Sequence, residues 1–183
     1  MHLYPPCGVQ RKKDMKKCMM LIVLALVTIG LGSGQIMAAD KSPSAQDRCA
    51  VCGMFVAKHP QWVSLIVLEN GDNVWFDGIK DMMAYSFAPR TFGAAHGATI
   101  KDFRVKDYYS QLWVDGEKCF YVVGSDVTGP MGHELIPFST EKAANSFLKD
   151  HHGKEVLNFS AISSERIESM RKGHKMKMMH KKK

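Results

Sequence analysis

The sequence predicts an α+β fold of two small β-β-α-β units, with mostly antiparallel strands and one short helix in each. Three observations lead there. Short runs rich in β-branched and aromatic residues are closed by turn residues such as "ENGD". Each pair of runs is followed by a segment whose apolar residues recur at helical spacing. That order occurs twice, over residues 49–108 and again over 109–162, as an old duplication would leave it.

In the first unit, "WVSLIVL" and "NVWFD" read as two strands joined across Asn70-Gly71, residues that tolerate the positive φ of a tight hairpin. Asp77 then caps a short helix, "GIKDMMAYSF", in which Ile79, Met82, Met83 and Ser86 share one face. The glycine-rich "RTFGAAHGAT" leads into a strand at "IKDFRVKDY". The second unit repeats the plan. "YSQLWV" and "KCFYVVGSD" form a hairpin across "DGE", and after an insertion "ELIPF" runs into a helix from about Thr140 to His152. Ala143, Ala144, Phe147 and Leu148 make the buried face of that helix, and "VLNFSAI" closes the unit.

The ends of the chain read differently. Residues 1–39 carry a basic block, an apolar run from Cys18 to Leu31 and small residues in "QIMAAD", which is the grammar of a secretory signal; Met15 is an alternative start. The run is shorter than the ~20 residues a spanning helix needs. No cysteine follows it before Cys49, so the expectation is an exported, periplasmic protein without a lipid-attachment cysteine. Residues 40–48 form a flexible leader. Residues 163–183, ending "SMRKGHKMKMMHKKK", form a basic, His/Met-rich tail expected to be disordered. Membrane association stays open through an uncleaved signal or that tail. The net charge of +7 resides in the basic block before the apolar run and in the stretch from Arg171 onward; the body between those two has 13 basic and 17 acidic side chains. A mildly acidic body without a basic stripe excludes nucleic acid as a partner.

Export leaves three cysteines, Cys49, Cys52 and Cys119, an odd count that is not a disulfide framework. Cys49 and Cys52 stand as C-x-x-C in "DRCAVCGMFVAKHP". Three chemistries are open to such a pair. A redox dithiol wants the motif at a helix start after a strand, where the helix end lowers the thiol pKa; here a glycine and strand-like residues follow. A structural zinc site wants four ligands, and Cys119 lies in a strand pattern, although His59 could be recruited. A soft-metal site would use Met54, because thiolate and thioether together select Cu(I). Met131, flanked by Gly129, Pro130 and Gly132 and followed by His133, sits in a turn pattern and is a second thioether candidate. Met82 and Met83 lie at core spacing.

The segments "CAVCGMFVAKHPQW", "VWFDGIKDMMAY" and "VVGSDVTGPMGHELIPF", in that order, resemble the NosL family of nitrous-oxide reductase accessory proteins. The resemblance covers roughly Cys49 to Ser160. It implies two small β-β-α-β domains and a periplasmic Cu(I) chaperone, not an enzyme, that serves an exported copper enzyme. The family's Cys-Gly-Met falls on Cys52, Gly53 and Met54, and its glycine-flanked methionine on Met131. Cys49 is then a further donor or entry ligand, with His133 and His59 as neighbours that could coordinate or orient. Many members are lipoproteins, and the His/Met tail is not part of the shared pattern. The rival classes are a periplasmic thiol-disulfide oxidoreductase acting on cuproprotein cysteines and a structural zinc-binding interaction module.

Overall fold

Two antiparallel sheets are laid down in the predicted order in the computed structural model, which describes residues 42–180. The expected signal segment lies outside the described residues. In the first sheet, β1 (Ser64–Leu68) pairs with β2 (Asn73–Phe76), with Ile66 opposite Val74. The turn between them is the predicted one: Gly71 takes a φ of +89°, and the Asn70 side chain accepts from the Asp72 N–H at 3.0 Å. Helix α1 (Ile79–Phe87) follows, and β3 (Ile100–Lys106) returns along the other side of β1.

β4 (Trp113–Asp115) departs from expectation. It pairs with β3, Val114 opposite Val105, and so completes the first sheet in the order β2-β1-β3-β4. The expected hairpin across "DGE" does not form. The Asp115 side chain accepts from the Glu117 N–H at 3.0 Å and bends Gly116–Lys118 into a 3-10 turn that leads the chain out of the sheet. β4, which lies beyond residue 108, therefore belongs to the first sheet.

The second sheet contains β5 (Phe120–Gly129), β6 (Gly132–Phe138) and β7 (Glu155–Asn158) in the order β6-β5-β7. Pro137 is tolerated because β6 is an edge strand. Helix α2 (Glu141–Asp150) is capped by the Thr140 side chain, and buries Ala144 and Phe147 against Val122, Ile136 and Phe138. The larger core spans both sheets. Ile66, Phe76, Met82, Met83 and Val105 from the first unit share it with Tyr121 and Leu135 from the second. The two units are thus fused through one interior.

Two further expectations are corrected at the ends. The leader is fastened at its close, since Asp47 O accepts from the Val56 N–H at 3.0 Å and Arg48 bridges to Phe55. The chain from residue 163, expected to be disordered, is instead helix α3 (Ser164–His180), packed against α1. Ser163 Oγ accepts from the Arg166 N–H at the helix start. Ile167, 1% exposed, enters the larger core, and Met170 packs against it one helical turn later. Among the described residues, no helix is long and apolar enough to cross a membrane.

Candidate metal site

The C-x-x-C segment is a tight loop held by its own backbone. The Cys49 N–H donates to Met54 O at 2.8 Å, the Gly53 N–H donates to Cys49 O at 2.9 Å, and Arg48 Nη1 donates to Gly53 O at 2.9 Å. Gly53 adopts a φ of +77°, which only glycine takes without strain, and that closes the loop. The loop then docks on the free edge of the first sheet, where the Ala50 N–H donates to Trp75 O at 3.2 Å. Trp75 stands two residues before Asp77, so the docking brings both thiols to the strand-to-helix corner.

At that corner Cys49, Cys52, Asp77 and Asp81 each present one donor atom, all within 4.8 Å of one another. Cys49 Sγ lies 3.5 Å from Asp81 Oδ2, and Cys52 Sγ 3.2 Å from Asp77 Oδ1. Cys49, Asp77 and Asp81 are buried, whereas Cys52 is half-buried and forms the accessible side of the group. All three described cysteines are free thiols. Asp77 is not the expected helix cap: Gly78 occupies that position, and the Asp77 carboxylate turns inward. Its Oδ2 is buried without a hydrogen-bond partner among the described residues.

The surroundings favour the protonated forms of Cys52 and Asp81. The hydrogen bond with Cys49 and then burial push the Cys52 thiol above its ordinary range, and the charge of Asp77 adds to this. Burial, then the neighbouring Asp77 charge, raises the Asp81 carboxyl. Arg171 from α3 offsets part of that, with Nε 3.8 Å from Asp81 Oδ1 and its guanidinium 5.4 Å from the Phe92 ring centroid. A cation entering such a group replaces protons on sulfur and gains two neighbouring carboxylates.

The other predicted residues divide. Met54 is part of the same loop and half-buried. Met131 occupies the turn of the β5–β6 hairpin, where Gly129 pairs with Gly132 and only Pro130 and Met131 lie between. Its carbonyl accepts from Lys80 Nζ at 2.7 Å, which ties the turn to the start of α1, next to the thiol–carboxylate corner. His133 is exposed on β6, and His59 is half-buried at the end of the 3-10 turn Val56–Lys58; the donor cluster contains neither. Cys119 is buried elsewhere, its thiol donating to Asp115 O, in keeping with a packing role. Asp77 and Asp81 are the residues that sequence reasoning missed. Their four-residue spacing around a helix start, which can set two side chains on one face, was the available signal.

Comparison with known proteins gives a consistent picture. The family model described as NosL matches residues 40–167. The chain is similar to the copper-binding lipoprotein NosL of Stutzerimonas stutzeri, 26% identical over 157 residues that cover 79% of this chain and 78% of that protein. It is also similar to the copper-binding lipoprotein NosL of Achromobacter cycloclastes, 29% identical over 119 residues and 61% of each chain. The crystal structure of the copper chaperone NosL from Shewanella denitrificans superimposes with a TM-score of 0.59 at 21% identity, covering 68% of this chain and 95% of that one. That likeness establishes the fold.

Proposed function

The chain belongs to the NosL family, and on that premise we propose that it is a copper chaperone that carries Cu(I) to an exported copper enzyme. Cys52, Met54 and Met131 bind the metal, with Cys49 as a further donor or entry ligand. The observation that carries the reading is that two free thiols, on a loop ending in Gly53-Met54, meet two buried carboxylates at the start of α1. Thiolate and thioether are the donors that favour Cu(I) over hard cations. Loading removes a proton from each coordinating thiol, and Asp77 and Asp81 already stand against the two sulfurs as acceptors. Hand-off is ligand exchange: a soft donor of the recipient attacks from the Cys52 side, the half-buried one.

The names of the relatives support copper as the cargo, and their description as lipoproteins supports export. We take the compartment to be the periplasm and the recipient to be nitrous-oxide reductase or its maturation complex. The protein is a carrier and not an enzyme. A thiol oxidoreductase wants its C-x-x-C at a helix start, and here the motif lies in a tight loop closed by Gly53. The zinc reading has one observation in its favour, since two thiols and two carboxylates are donors zinc accepts. Anaerobic titration against chromophoric chelators separates the two. The expected result is one tight Cu(I) site that Cys52→Ser abolishes and Cys49→Ser weakens less. Zn(II) displacing Cu(I) at equal concentration, or a Cys52→Ser chain that still binds Cu(I) tightly, refutes the reading.

A further inference from the structure

Lys80 and Glu134 are buried charged side chains outside the donor cluster, 2% and 3% exposed. Lys80 Nζ donates to the carbonyls of Met131 at 2.7 Å and His133 at 2.8 Å, gripping the β5–β6 turn at and just beyond the methionine. Glu134 reaches the opposite way. Its Oε1 accepts from the Lys80 backbone N–H at 2.6 Å and from the Leu135 N–H at 3.0 Å. The bond to Lys80 N–H supplies the helix cap that Gly78 cannot, and places a carboxylate at the favourable end of the helix dipole. Glycine at position 78 leaves room for that carboxylate: a Cβ there would lie 2.3 Å from Glu134 Oε2 and push it off its N–H partners. Helix start and hairpin turn are therefore tied reciprocally, a helix side chain to the turn and a strand side chain to the helix.

Burying an ammonium and a carboxylate is costly before their partners are counted, and apolar side chains of equal volume often stabilise a fold as well. What Lys80 contributes instead is position, because backbone carbonyls held by an ammonium fix where the turn sits. We propose that Lys80 and Glu134 are positioning residues that hold the Met131 thioether at the copper site, by locking the β5–β6 turn onto the start of α1. This rests on the reading of Met131 as a ligand given above. Side chains that orient ligands without touching the metal typically account for about ten- to a hundredfold in metal affinity.

The test is a double-mutant cycle on the full chain with Lys80→Leu, Met131→Leu and both together. Cu(I) affinity is read by competition with a chromophoric chelator, and the number of sulfur ligands by X-ray absorption at the copper edge. If Lys80→Leu alone fails to fold, Lys80→Leu with Glu134→Gln removes both buried charges together and takes its place. Lys80→Leu is expected to lose about ten- to a hundredfold in affinity and one sulfur from the copper shell, with the circular dichroism unchanged. Added to Met131→Leu, it should cost nothing further. Wild-type affinity in Lys80→Leu, or the same loss in the Met131→Leu background, overturns the clamp and leaves the ligand reading intact. If Met131→Leu alone changes neither affinity nor sulfur count, the ligand reading falls and the clamp falls with it.

Discussion

Glutamate 134 should make the fold less stable as the pH rises toward neutrality. Burial raises its carboxyl from the ordinary 4.5 to about 7, against the opposing pull of the Lys80 charge and of the Leu135 and Lys80 N–H groups. Between those two values the folded chain keeps a proton that the unfolded chain has lost, so stability falls with increasing pH across the window and levels off above it. At about 1.4 kcal/mol per pH unit, the full effect is on the order of 3 kcal/mol. With a urea dependence of about 1–3 kcal/mol per molar, the midpoint should lie roughly 1–3 M higher at pH 4.5 than at pH 7.5. Asp81 is raised by burial and adds with the same sign. Asp107, held below its ordinary value against burial by the N–H groups of Ser110 and Ser139, acts with the opposite sign and only below pH 3.8. Both are common to wild type and Glu134→Gln, so the difference between the two chains isolates Glu134. The assay is urea unfolding by circular dichroism at pH 4.5, 6 and 7.5, and Glu134→Gln should show a much flatter dependence. Equal pH dependence in the two chains, or a steeper one in the variant, would refute the reasoning.

Two further outcomes follow from the rest of the account. Cutting the chain after Lys172 should leave thermal stability and the tightest copper site intact while lowering the copper taken up at excess metal, because His174, Met176, Met178, Met179 and His180 are removed. A cut after Ser169 should also destabilise the fold, since Met170 packs on the core and Arg171 faces Asp81; indistinguishable melting curves for the two cuts would contradict the packing of α3. A strain lacking the protein should export nitrous-oxide reductase short of copper when copper is scarce, and full metal content there would move the recipient elsewhere.

The strand and turn order was legible because it rests on local chemistry. Asn70-Gly71, the alternating runs and the apolar face of α2 each specify their structure over a few residues. β4 was misassigned because "DGE" suits a hairpin and a 3-10 turn alike, and the choice was made by pairing with β3, a partner selected in three dimensions. Helix α3 was hidden by composition. The lysines after Arg171 dominate that stretch, whereas its anchoring depends on Ile162, Ile167 and Met170 meeting a core formed elsewhere. In the site, the cysteines and methionines stood out by rarity and spacing. Asp77 looked like a cap because Asp before a helix usually is one. Glu134 performs that task from 54 positions along the chain, and so Asp77 was free to face Cys52.

The central claim is that the Cys52 corner is a Cu(I) site, and metal analysis of protein recovered anaerobically from the exported fraction tests it most directly. About one copper per chain is expected, silent in electron paramagnetic resonance as Cu(I) must be, and absent from Cys52→Ser recovered in parallel. Zinc at one per chain in place of copper, or equal copper in wild type and Cys52→Ser, would contradict it.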